Sequence, residues 1–321
     1  MTNINKPARP HSKIVYRISN WSDYDRALVQ RGSLTVWIDP DVRKYWTYDG
    51  PAQRGAQYIY SELAIETMLT LREVFHQTNR EVEGLVCSLF KLLQVALPVP
   101  DHTTLSRRGR TLRVPLLKRT KGPLHLVLDS SGLKVYGEGE WKVRQHGWSK
   151  RRTWRKMHLS VDAESGEIQA ALLTEAGVHD AQVVEPLLEQ IEPSLASVAA
   201  DGAYDRANVY RVVQARAPAA SIAIPPRRDA KIQQHGNTHA VPLPRDESLR
   251  AIRRHGRAQW KRISGYHRRS LAETAVFRFK TIFGDRLSAR QWETQVSQFA
   301  IRCGSLNRMT HLGMPQSHRV D

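Results

Sequence analysis

The chain has 321 residues, with 49 Lys and Arg against 31 Asp and Glu, a net charge of +18 and 40% hydrophobic residues. Enough apolar residues are present for a packed core, which excludes a disordered polyelectrolyte. Two cysteines without a CxxC pair exclude a disulfide framework and a thiolate zinc site. A pI near 10.2 calls for a polyanionic partner, nucleic acid first.

Residues 1–15 are polar and proline-containing and read as a mobile arm without the apolar stretch of a signal peptide. No run reaches transmembrane length and no segment has the basic, amphipathic design of an interfacial helix. The expectation is a cytoplasmic protein with no membrane partner. Trp21–Gln30 reads as a short helix closed by Gly32, and Leu34–Ile38 as a strand. Ser61 caps a helix carrying Leu63, Ile65, Met68, Leu69 and Leu71. Thr78 and Glu81 have capping-box spacing before Val82, Leu85, Val86, Leu89, Leu92 and Leu93, a pattern that makes Cys87 a small core residue. The segment Asp101–Arg108 forms a third, short, basic helix. Helix, helix, short basic helix is the order of a helix-turn-helix module over about 61–110, and equally of a plain helical bundle. Arg107 and Arg108 are its candidate DNA contacts.

From Gly122 the pattern turns to strands: His125–Asp129, Met157–Val161 and Ile168–Thr174, the last two joined by a turn at Glu164–Gly166. A helix with Val183, Val184, Leu187 and Leu188 follows Asp180, then a strand ending at Asp201, a helix near 208–215 and the strand Ser221–Ile224. Residues 227–249 lack periodicity and read as an inserted loop, the insertion extending to about 255. Tyr266–Phe283 and about Ala289–Asn307 are the closing helices. This order predicts an α/β fold, a ribonuclease-H-like mixed sheet flanked by helices over 121–321, preceded by a mostly helical DNA-binding region over 1–120.

The chemistry concentrates in a few polar residues. On one helix, Tyr266, Arg269, Glu273 and Lys280 fall within an arc of ~60°. Asp129 and Asp201 each follow a short apolar run, and Gly202 after Asp201 permits a tight turn. Hydrolysis of a phosphodiester builds negative charge that two divalent ions can neutralise, and Mg²⁺ takes hard oxygen ligands. Asp129, Asp201 and Glu273 are the candidate ligands and catalytic acids, for two Mg²⁺ with Mn²⁺ as a substitute. A lone strand-end aspartate is more often a turn or helix cap, and Asp180 and Asp205 are assigned to that class. Lys280 suits a backbone phosphate, Arg269 suits a phosphate or the orienting of Glu273, and Tyr266 a base or an ordinary packing role. Three acid-free basic runs, 102–121, 141–158 and 250–272, carry seven, seven and eight Lys or Arg. In the second, Lys150, Arg151, Arg152 and Arg155 interleave with Trp141, Trp148 and Trp154, as at a nucleic-acid surface or, equally, beside core tryptophans.

The spacing Y-(2)-R-(3)-E-(6)-K at 266–280, the DG-x-Y at Asp201–Tyr204 and the stretch LDSSGLKVYGEGEW ending at Trp141 resemble a bacterial insertion-sequence transposase with the acid triad DDE, of the family named for insertion sequence number five. The resemblance runs over nearly the whole chain. It implies metal-dependent transposition: binding of terminal inverted repeats, hydrolytic strand cleavage, and joining of 3′-hydroxyl ends to target DNA by direct attack. Double-stranded DNA, both element ends and target, is the implied partner, with a homodimer or larger assembly on it. Two rivals stay open at this point. A tyrosine recombinase would use Tyr266 as nucleophile, and a non-enzymatic DNA-binding regulator would use the basic runs alone.

Overall fold

The computed structural model describes residues 15–38, 42–52, 54–55, 57–135, 154–235 and 241–320. Capping chemistry sets the N-terminal helices where the sequence places them. Ser61 accepts from Ala64 N at the start of helix Glu62–Val74, and Thr78 and Glu81 complete both arms of a capping box for helix Asn79–Leu92. Asp101 accepts from Thr104 N to open helix His102–Arg108. Trp21–Gln30 is helical as expected. Leu34–Trp37, expected as a strand, is one helical turn whose Trp37 is buried. A four-residue apolar run has no period of its own, and packing of Trp37 into the core decides it. Cys87, expected in the core, is exposed.

Eight strands lie among the described residues: β1 (Val15–Ile18), β2 (Leu124–Val135), β3 (Trp154–Asp162), β4 (Ile168–Glu175), β5 (Leu195–Ala199), β6 (Ser221–Ala223), β7 (Arg286–Leu287) and β8 (Ser317–Val320). β1 pairs with β8, tying the two ends of the described chain together. The main sheet runs β4-β3-β2-β5-β6, with β7 on the far end of β2. β2, β3 and β4 are antiparallel neighbours, while β5 and β6 run parallel to β2. Three antiparallel strands followed by two parallel ones, in spatial order 3-2-1-4-5, is the ribonuclease-H-like arrangement.

Alternation along β2 divides its residues between two cores. Leu124, Leu126 and Leu128 join Leu187, Leu188, Val209 and Val213 beneath the sheet. Those partners come from helices Val184–Leu188 and Ala207–Arg216, the crossovers to β5 and β6. Val127 and Leu133 face the opposite way, into a core shared with Phe279 and Phe283 of helix Ser270–Phe283 and with Phe299 and Leu306 of helix Trp292–Leu312. Ile65, Met68 and Leu69 belong to the same core, so the N-terminal helices are packed on the sheet domain. A buried ionic junction reinforces that contact. Glu73 accepts from Arg302 Nε and Arg72 at 2.6 Å each, and from Gln298 at 3.0 Å. Burial alone would push Glu73 upward, yet Arg302 and Arg72 hold it below the usual carboxylate range.

The insertion is more ordered than its composition suggests. Helix Pro244–His255 lies within the segment read as an inserted loop and corrects that reading, with Pro244 in its first turn. Helix Arg257–Ile263 continues from it across Gly256. Asp246 accepts from the backbone N–H groups of Gln233 and Gln234, which pins the preceding segment.

Candidate active site

Two acids reach one level of the sheet by strand register. β2 and β5 pair in parallel up to Val127 and Ala199. Asp129 and Asp201 each lie two residues further on. Asp129 is inside β2, which continues to Val135 rather than ending at the acid as the sequence suggested. It shares a face with Val127 and Leu133, so it points toward helix Ser270–Phe283. Asp201 lies beyond β5 and opens a 3-10 turn, Gly202–Tyr204, by accepting from Ala203 N at 2.8 Å. Gly202 shows no left-handed backbone, and a Cβ there would meet only Pro225 O at 3.5 Å. The tight turn after Asp201 is present as expected, and no left-handed backbone makes glycine obligatory there.

The third acid arrives from a corner. Gly265 has φ +69°, a left-handed conformation that favours glycine, and it redirects the chain from helix Arg257–Ile263. Tyr266–Arg269 then form a 3-10 turn and the α-helix begins only at Ser270. The four-residue stripe is thus not on one regular helix, since a 3-10 turn advances each residue by more than an α-helix does. It still converges. Arg269 pairs with Glu273 one turn later and lies 3.7 Å from Asp129 Oδ1. Its guanidinium is the cation between the two acids. Tyr266 packs against Trp260 with ring centroids 6.0 Å apart, and Lys261 Nζ lies 5.2 Å from the Tyr266 ring. Lys280 donates to Ser131 Oγ at 2.7 Å, two residues along β2 from Asp129 on the same face.

The electrostatics are those of carboxylates short of positive charge. Burial raises the Asp129 carboxyl above its usual value, and the charges of Asp201 and Glu273 push it further, against Arg269 and the Ser130 amide. Burial, again with Asp201 and Glu273, raises the Tyr266 phenol, although Arg269 opposes this. Three carboxylates of hard oxygen chemistry suit a divalent cation. Among the described residues, however, no three His, Cys, Asp or Glu side chains are grouped as a metal-ligand set. Glu273 is instead occupied by Arg269. The donor chemistry fits a hard cation once that ion pair is exchanged.

The other expected DNA contacts divide sharply. Arg107 is exposed. Arg108 is buried, donates to Tyr60 O at 2.8 Å and stacks 3.9 Å above the Tyr58 ring, so it braces the helical region and does not present a charge. Arg155 donates to Gln295 and lies 4.8 Å over the Trp292 ring, holding β3 to the last helix. Lys150, Arg151 and Arg152, with Trp141 and Trp148, lie outside the described residues. In the third basic run Arg253, Arg254, Arg262 and Arg268 are exposed. Asp205, assigned from sequence to helix capping, is buried and receives both Arg245 Nε and a second Arg245 nitrogen, at 2.7 and 3.0 Å. It also accepts from Arg227 N, so it clamps the turn after Asp201 to the insertion. Sequence reasoning missed Arg245, because nothing local links positions forty apart.

A family model described as a transposase DDE domain matches residues 120–308, more than half of the chain, and a second of the same description matches residues 29–138. Neither description narrows to the insertion-sequence-five grouping. Among solved structures the chain is similar to the cryo-EM structure of a piggyBac transposase synaptic complex with hairpin DNA. That similarity is 12% in identity, with a TM-score of 0.39, and covers 90% of this chain and 78% of the other.

Proposed function

The chain belongs to the transposase DDE domain family, and from that premise we propose that it binds the terminal inverted repeats of an insertion sequence, cleaves the strands hydrolytically and joins the 3′-hydroxyl ends to target DNA. Membership implies use of a divalent metal ion. The observation that carries the reading is that Asp129, inside β2, and Asp201, just beyond β5, lie level with each other, with Glu273 joined to Asp129 across a shared arginine. In this reading two Mg²⁺, or Mn²⁺ in their place, held by Asp129, Asp201 and Glu273 would supply Lewis-acid charge to the attacking and leaving oxygens.

The chain's own residues do the rest. Arg269, released from Glu273, is placed to hold a backbone phosphate beside the cut, and its planar fork suits that task better than a lysine would. Lys280, anchored on Ser131, sets a point charge further along β2. Exposed Arg253, Arg254, Arg262 and Arg268 extend the positive surface from the site, and helix His102–Arg108 with Arg107 belongs to end recognition. Tyr266 serves as a stacking or hydrogen-bonding group. Its phenol is raised, which disfavours the phenolate a tyrosine recombinase would need. Two ends must be cut and joined together, so a homodimer or larger assembly forms on DNA.

The test uses the full chain, its element's end DNA and Mg²⁺, with nicks mapped on each strand. Asp129→Asn, Asp201→Asn and Glu273→Gln should each abolish cleavage and leave end binding in place. Retained cleavage in any of the three removes that residue from the triad, and a trapped covalent protein–DNA adduct would replace the reading altogether.

A further inference from the structure

Behind the acid pair, on the sheet face turned away from Glu273, lies a largely buried group of polar side chains that the chemistry above does not use. Ser130 follows Asp129 and points to that face, opposite His158 of β3. His158 has no exposed surface; its Nε2 is 2.9 Å from Thr174 Oγ1 and its Nδ1 3.4 Å from Asp180 Oδ1. Asp180 is paired with Lys156 Nζ at 2.7 Å. The Tyr204 ring is 1% exposed and its hydroxyl lies beside Ser130. The charges of Asp180, Asp129 and Asp201 all act on it, and with burial they raise its phenol.

Elsewhere this side of the sheet is built from Leu126, Leu128, Leu187 and Val198. The polar exceptions collect directly under the two aspartates, and they are incompletely satisfied. Ser160 Oγ is buried without a hydrogen-bond partner, His158 Nδ1 has only the 3.4 Å approach of Asp180, and the Tyr204 hydroxyl has only Ser130 beside it. Each such atom costs about 1–3 kcal/mol, so packing alone would favour apolar side chains here. The group also spans two turns. Asp180 opens the 3-10 turn Asp180–Gln182 after β4, and Tyr204 ends the turn that Asp201 opens after β5. Asn208 donates to Ala181 O at 3.0 Å and fastens the first turn to the helix following the second. Asp180 therefore does not cap a helix as the sequence suggested; its carboxylate faces Lys156, His158 and Tyr204.

We propose that Tyr204 and Asp180 are positioning residues for the acid pair: Tyr204, wedged between the Asp180 turn and Ser130, sets the separation and direction of Asp129 and Asp201. This rests on the reading that those two carboxylates hold a divalent ion. Polar groups beneath metal-holding side chains usually act this way, and losing one costs about 10–100-fold in metal affinity or activity.

Tyr204→Phe is the discriminating variant, since it keeps the ring and removes only the hydroxyl beside Ser130. A purely structural role predicts a lowered or unchanged melting temperature and unchanged Mn²⁺ binding by calorimetry. Positioning predicts an unimpaired melt, Mn²⁺ affinity lowered about 10-fold, cleavage lowered at least as much, and unchanged affinity for end DNA. Asp180→Asn should act in the same direction. Wild-type Mn²⁺ affinity and cleavage in both variants would overturn the proposal, and so would loss of the fold in both, which would make the cluster structural. Asp201→Asn is the control: if it binds Mn²⁺ as the wild type does, the metal-site reading fails and not the positioning argument alone.

Discussion

Glu73 and Asp129 are both largely buried carboxylates beside arginine, and they are treated in opposite ways. Glu73 receives two arginines and a glutamine, so its charge is fully met and its carboxyl lies below the usual range. Asp129 has one arginine, shared with Glu273 and no nearer than 3.7 Å, and its carboxyl is raised. The first is a joint between the N-terminal helices and the last helix. The second holds negative charge that the protein does not itself neutralise. A chain pays for such a deficit only where something arrives to relieve it, as perturbed carboxylates at functional sites do.

The contrast can be broken in four ways, from the largest effect down. Asp201→Asn or Glu273→Gln should lower cleavage about 10³-fold or more, equivalent to about 4 kcal/mol in the transition state, with end binding unaltered in a gel shift. Glu73→Ala should do the reverse. It strands Arg302 in the core and should cost about 3–5 kcal/mol of stability in denaturant unfolding, without a specific effect on chemistry in whatever remains folded. The sign with pH follows from the lowered carboxyl: the junction stabilises fully above the ordinary value of 4.5 and fades as pH falls toward the folded value. Acid unfolding measured below pH 4.5 should therefore steepen in the wild type relative to Glu73→Gln.

Lys280→Ala comes next, with cleavage reduced about 10–100-fold, metal dependence near wild type and part of the activity recovered in Lys280→Arg. Equal rates for Lys280→Ala and wild type would mean that the bond to Ser131 is only structural. Arg278, on the same helix, is not a surface cation. It donates to Thr310, and burial together with Arg31 pushes it down to about 10. The smallest effect is on stability at the site itself. Because the Asp129 carboxyl is raised, its contribution is favourable at low pH and is lost as pH rises through the folded value. Asp129→Asn should thus melt above wild type near neutral pH by about 0.5–2 kcal/mol, with the gap closing in acid. A lower melt at neutral pH would show that Arg269 already satisfies Asp129.

Much of the scaffold is written locally. Ser61, the Thr78–Glu81 box and Asp101 cap helices because a side-chain oxygen three residues before an amide needs no tertiary help. Strand alternation and the Glu164–Gly166 turn set the antiparallel part of the sheet, and three acids at long intervals mark the candidate site. Errors gathered where local pattern is weak or misleading. Leu34–Trp37 is too short to carry a period. Tyr266 and Arg269 fit α-helical spacing yet form a 3-10 turn after the left-handed Gly265. Arg108 and Arg155 belong to basic runs but are drawn into stacking on Tyr58 and Trp292.

By itself, then, the sequence determined the basic character of the chain, most helix starts, the strand order and the candidate acids, all of which depend on residue type and near neighbours. Only the tertiary structure decided which charges are met. Glu73 finds Arg302 across the core, Asp205 finds Arg245 in the insertion, and Asp180 leaves its expected cap for Lys156 and His158. Asp129 comes level with Asp201 because two parallel strands align in one register. A carboxylate's fate depends on which donors the fold brings within about 3 Å, and that distance is set by packing between segments far apart in the chain.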